Sequence, residues 1–171
     1  LKESDGIISE VCVNLKSKED NLIQRISSLL EENKNLSKEL HDMKAKMSLQ
    51  SVDSIFDSKV EVNGVNLITN KFEGMDMDTL RETADNLRDK LGSGVVVLAN
   101  VVDDKVNFVV TATKDVLDKE IHSGNIVREV AKIAGGKGGG RPNMAQAGAS
   151  DVSKVDQALS YASEVIKTQV K

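Results

Sequence analysis

The hydrophobic residues change period once, near residue 51, and that change divides the chain into two parts that cannot fold alike. Before it, Leu15, Leu22, Leu29, Leu36 and Met43 recur every seven residues, and Ile26, Leu40 and Met47 follow members of that set by four. This spacing is the a/d seam of a coiled coil. After it, apolar residues alternate or run in short continuous stretches between turn residues, which is the pattern of strands. The chain is therefore expected to be α+β: a helical arm over 1–50, then a globular α/β domain over 51–171.

Within the arm the pattern predicts a short helix over about 5–15 and a long one over about 18–49. Ser17 and Asp20 have capping-box spacing for the second. Leu22, Ile26, Leu29, Asn33, Leu36, Leu40 and Met43 form the candidate dimerisation seam. Asn33 at an a position either fixes the register of a coiled coil or is exposed on a helix that packs elsewhere. The mixed charges between the seam positions are a solvated face. Cys12 is the only cysteine, which excludes an internal disulfide and a cysteine zinc site; it is expected as a small buried hydrophobe.

In the second part, Asn63-Gly64 lies between two apolar stretches, the strongest short hairpin signal. A helix is expected from Gly74–Asp78 to Leu91, capped by Asp76 or Asp78. Val95-Val96-Val97-Leu98 predicts a central strand, Asp103-Asp104 a turn, and Lys105–Thr113 the next strand. A short turn or helix over Lys114–Leu117 comes next. Ser123 is expected to cap a helix over 124–134, and Ser150 or Asp151 a last helix to about Gln169. Together these predict a mixed sheet of four to five strands packed with helices.

One stretch resists that scheme. Five of the chain's twelve glycines fall between Gly135 and Gly140, and the only proline, Pro142, follows at once. Glycine costs order and is kept where the backbone needs unusual dihedrals or something must approach closely. From Lys132 to Ser150 there are three basic residues and no acidic one, although the net charge of the chain is −4. The expectation is a glycine-rich loop over 135–141, then a helical turn over Asn143–Ala147 begun by Pro142. The glycines follow a helix, and Lys137 has no Ser or Thr after it, so neither the nucleotide-binding loop nor the dinucleotide fingerprint fits. Two readings stay open: an anion-binding concavity of successive amides reinforced by Lys137 and Arg141, or a helix-to-helix connection with a glycine C-cap.

Little else carries chemistry. Asp76 and Asp78, and Asp103 and Asp104, sit at caps and turns. His41 and His122 are the only histidines, so no catalytic residue and no metal site is expected. His122 is expected as a capping or surface residue. Four aromatics are too few for a base-stacking platform, so a nucleic-acid partner would be met through its backbone and shape. No stretch has the roughly 20 apolar residues of a membrane span. Leu1 at the start of a helical pattern suggests a piece of a longer chain.

The run from His122-Ser123-Gly124-Asn125 through Ala134-Gly135-Gly136-Lys137-Gly138-Gly139-Gly140-Arg141-Pro142-Asn143-Met144-Ala145-Gln146-Ala147-Gly148 resembles the end of alanyl-tRNA synthetases. The Leu-Leu-Glu-Glu-Asn-Lys helix at 29–34, the valine-rich strand and Thr113-Lys114-Asp115 are similar too, so the likeness covers essentially the whole chain. Lys137, within a usually pure glycine run, and Lys18, where proline is frequent, are small departures. The resemblance implies a non-catalytic, tRNA-binding C-terminal module of an alanine–tRNA ligase. It would contact the outer corner of tRNA(Ala) and link aminoacylation with editing, and the helical arm would contribute to a homodimer. ATP, Mg and Zn would belong to upstream aminoacylation and editing domains, and the enzyme would be cytoplasmic. Lys132, Lys137 and Arg141 would meet phosphates, Gly135, Gly136, Gly138, Gly139 and Gly140 would line the contact, and Asn143 and Gln146 would reach sugar or base. The rival expectations are a dimerisation scaffold without tRNA contact, and the nucleic-acid-binding lobe of a phosphoesterase.

Overall fold

The computed structural model describes residues 1–170, with the side chains of 45–51 excepted. By contact it divides into Leu1–Met47 and Ser48–Lys171.

In the first unit, α1 spans Lys2–Leu15 and stops at Lys16, whose left-handed backbone (φ 49°, ψ 46°) turns the chain. A 3-10 turn at Glu19–Asn21 leads into α2, Leu22–Asp57. The expected capping box does not form: Ser17 donates its hydroxyl to the Lys18 carbonyl instead, 3.1 Å away. The helix also continues past the expected end at 49. Its last turns carry Val52 and Ile55, which the globular core of the second unit buries. Tertiary burial extends a helix that the heptad pattern alone would have ended.

In the second unit, β1 (Val60–Val62) and β2 (Val65–Glu73) form the expected hairpin, with Asn63 and Gly64 both at positive φ. A helix, α3 (Met77–Leu91), then crosses over to β3 (Val95–Val102), which lies parallel to β2. Asp76 caps α3 by accepting from the Thr79 amide at 2.8 Å. β4 (Lys105–Ala112) returns antiparallel, and α4 (Lys114–Leu117) and α5 (Ser123–Ile133) follow. His122, not Ser123, caps α5: its Nδ1 accepts from the Asn125 amide at 3.3 Å. Ser123 is fully buried one residue inside the helix. Cys12 is only half-buried on α1.

The largest departure from expectation is the glycine stretch. Lys137–Gly140 is a strand, β5, and Met144–Ala149 is another, β6, where a loop and a helical turn were expected. The sheet therefore has six strands, in the order β1-β2-β3-β4-β6-β5. Pro142 lies in the short bend that joins β5 to β6, not at the start of a helical turn. The Arg141 amide donates to the Met144 carbonyl at 2.9 Å across this connection. A 3-10 turn at Val152–Lys154, capped by Asp151, leads to α6, Val155–Gln169.

The sheet is covered on both faces, which is why β3 reads as an unbroken apolar run. Val95, Val97, Phe108 and Val110 point to α5 and α6 on one face. Val96, Leu98 and Val109 point to α3 and the end of α2 on the other. Each such side chain contributes about 1.5–3 kcal/mol on full burial. α3 lies chiefly over β3 and β4. The second face is left open over β6 and β5, and the site lies there.

Candidate nucleic-acid interface

The β5–β6 hairpin is anchored through its turn. The Ala112 amide donates to the Asn143 carbonyl at 3.1 Å, and the buried Thr111 hydroxyl donates to the same oxygen at 3.2 Å. The Ser123 amide, at the start of α5, donates to the Pro142 carbonyl at 2.9 Å. Arg141 and Asn143 therefore stand on a fixed backbone.

Strand alternation then sorts the side chains. Ala145 and Ala147 enter the core toward α5. Gln146 faces the other way and accepts from Arg81 Nη2 of α3 at 3.1 Å. Lys137 pairs with Gly148, and the amide of Arg141 bonds Met144, so both basic side chains share the face of Gln146. Four strand steps separate their backbones by about 14 Å. Among the described residues neither has an ion pair.

The result is a shallow groove in two adjoining stretches. One, of about 380 Å³, includes Arg81, Asn107, Lys137 and Gln146. The other, of about 350 Å³, includes Arg141, Asn143 and Gln146. No carboxylate lines either stretch. The groove thus offers guanidinium, ammonium and side-chain amide donors, which suits an acceptor-rich ligand such as a phosphodiester.

The glycines serve this arrangement by packing, not by binding. Gly135, at φ +69°, ends α5 with the paired bonds of a Schellman motif: its amide meets the Lys132 carbonyl and the Gly136 amide meets the Ala131 carbonyl. The C-cap half of the second reading is found, but the cap leads into a strand and not into another helix. A Cβ on Gly136 would stand 2.2 Å from the Gly148 carbonyl, and one on Gly138 would stand 2.3 Å from the Ala147 Cβ. The expected concavity of successive amides does not form over 137–140, because a strand points alternate amides in opposite directions. Gly138, Gly139 and Gly140 are edge-strand backbone.

Lys132 is not brought into the groove. It lies on α5 and pairs with Glu129 at 2.7 Å. Arg128 of α5 does approach β5: its Nη2 lies 3.7 Å from where a Gly139 Cβ would stand. Sequence reasoning missed Arg81 and Asn107. Arg81 follows the buried Leu80 at the margin of the apolar stripe of α3, a signal too general to single it out without the sheet. Among the described residues no three His, Cys, Asp or Glu side chains gather as a metal site.

On the arm the predicted seam splits. Leu22 and Leu29 are half-buried, whereas Ile26, Asn33, Leu36, Leu40 and Met43 are exposed. Met47 lies outside the residues whose side chains are described.

This combination of a covered mixed sheet, a glycine edge strand and a donor-lined open face defines an α+β domain. The DHHA1 domain family matches residues 64–168, and the chain belongs to it. The fold is shared with the C-Ala domain from Aquifex aeolicus alanyl-tRNA synthetase, with a TM-score of 0.60 and 33% identity, over 64% of this chain and 98% of that one. The sequence is 99% identical over 171 residues to the alanine–tRNA ligase of Clostridioides difficile (strain 630). It is 48% identical over 168 residues to that of Acetivibrio thermocellus. It spans 20% and 19% of the length of these two relatives. No helix among the described residues is long and apolar enough to cross a membrane.

Proposed function

We propose that this chain is the non-catalytic, tRNA-binding C-terminal module of a cytoplasmic alanine–tRNA ligase. In this reading it holds the outer corner of tRNA(Ala), while aminoacylation and editing domains elsewhere in the same polypeptide bind ATP, Mg and Zn and do the chemistry. The observation that carries the reading is the pair Lys137 and Arg141. Two cations with no ion pair among the described residues line a groove free of carboxylates, in a chain whose net charge is −4. The test is the affinity of the chain for a tRNA(Ala) transcript. Replacing both with alanine removes about two phosphate contacts and weakens binding about twenty-fold at 0.15 M salt. Unchanged affinity would sink the site.

A second role is favoured by the arm. Leu36, Leu40 and Met43 are 58%, 55% and 62% exposed at heptad spacing, which suits burial against a second copy of the helix. Sedimentation should show a dimer that dissociates in the Leu36→Ala/Leu40→Ala variant. A monomeric parent would remove this role.

A further inference from the structure

The groove is not built by the hairpin alone. Arg81 reaches it from α3, sixty-five residues away in sequence from the Gln146 that it contacts. Its position is fixed from two sides. Nη1 donates to Asp78 Oδ1 at 2.8 Å, one turn earlier on the same helix, and Nη2 donates to Gln146. The start of α3 is itself tied to the sheet, because the Met75 amide and carbonyl both bond the side chain of Asn100, which is fully buried in β3. A guanidinium carries five N–H donors, so those two contacts leave Arg81 further donors. Its side chain is 40% exposed.

The contact also sets what Gln146 can do. With Oε1 committed to Arg81, its amide presents NH₂ to the groove and not its carbonyl oxygen. Lys137 stands beside it on the same face, and Gly148 adds no side chain to screen it. Two segments distant in sequence, α3 and the β5–β6 hairpin, thus bring donors to one place, where an acceptor-only ligand satisfies them all.

Resting on the reading that the groove binds RNA, we infer that Arg81 is a third phosphate-contacting residue and that the RNA backbone crosses the open face from β5 toward α3. Asp78 acts against it. Its carboxylate orients the guanidinium but offsets part of the charge that a phosphate would meet. Removing the arginine and removing the aspartate therefore move affinity in opposite directions, which a purely structural role for Arg81 would not produce.

The experiment measures the affinity of a tRNA(Ala) transcript for the whole chain across a salt series, in the parent, Arg81→Ala, Arg81→Lys and Asp78→Asn. Arg81→Ala should lower the slope of log K against log salt by about 0.8 and the affinity about five-fold at 0.15 M salt. Arg81→Lys should keep the slope, since the charge stays. Asp78→Asn should raise the affinity. Thermal midpoints matching the parent show that the variants are folded. An unchanged slope in folded Arg81→Ala, or Arg81→Ala and Asp78→Asn shifting affinity the same way, overturns the inference. If Lys137→Ala/Arg141→Ala weakens binding while Arg81→Ala does not, the inference fails and the tRNA reading stands. If the parent does not bind the transcript, both fail. Inorganic phosphate at constant ionic strength separates a free-anion site from an RNA site. Displacement of the transcript by sub-millimolar phosphate would assign the groove to a small anion and also overturn the inference.

Discussion

Along the β5–β6 hairpin an added methyl group has no room at one glycine and nothing to touch at another. A Cβ on Gly138 would stand 2.3 Å from the Ala147 Cβ and 2.4 Å from its Cα, whereas a Cβ on Gly148 would meet nothing within 4 Å. Near the same end, a Cβ on Gly124 of α5 would fall 2.7 Å from the Gly140 carbonyl. The closed side is dense because β6 and, at Gly124, the start of α5 come right up to the strand. The open side is empty because α3 lies chiefly over β3 and β4. A residue type with one propensity therefore has two meanings a few residues apart: at Gly138 the missing side chain lets backbones meet, and at Gly148 it leaves the floor of a groove bare.

That contrast is broken most forcefully at the closed side. Gly138→Ala forces β6 to shift and should destabilise by about 3 kcal/mol, read as a lower midpoint in denaturant. Gly148→Ala should leave stability within about 0.5 kcal/mol of the parent. Equal losses at the two positions would show that the faces are packed alike. Lys137→Ala/Arg141→Ala should show the complementary profile, with the twenty-fold loss of tRNA affinity and a stability change of no more than about 0.5 kcal/mol.

The smallest effect lies away from the hairpin. Asp115 accepts from the hydroxyls of Ser93 and Thr113, and these bonds hold its carboxyl below its ordinary value of 3.8. A lowered folded-state pKa stabilises above the unfolded value and is lost as pH falls through the folded one. The carboxylate is exposed, so water screens much of it. Asp115→Asn should lower the thermal midpoint slightly at pH 7, and the difference should close as pH drops below 3.8. A difference that persists undiminished at pH 2 would assign the effect to something other than ionisation.

Much of this molecule was legible from local signals. The Asn63-Gly64 hairpin, the continuous valine strand, the Asp76 cap and the helix ending at Gly135 were readable because each rests on a few adjacent residues with strong backbone preferences. The end of α2 was not, because Val52 and Ile55 are held in helix by a core assembled from residues far along the chain. Neither was β5. A Lys-Gly-Gly-Gly stretch has no strand propensity, and its conformation is imposed by β6 and α5.

The candidate site divides the same way. Lys137, Arg141, Asn143 and Gln146 were evident as a basic, acid-free segment. Lys132, equally basic and nearer in sequence to Lys137 than Gln146 is, faces elsewhere and is neutralised by Glu129. Charge is a property of the sequence, but the face on which a charge appears is set by strand register and helix phase. The sequence by itself determined the family, the glycine-rich segment and its local positive charge. Only the tertiary structure decided that this segment is an edge strand, that one of its faces stays open, and that Arg81 completes the groove. The physical reason is that backbone preferences act over a few residues, whereas the coverage of a sheet depends on where every other element comes to rest.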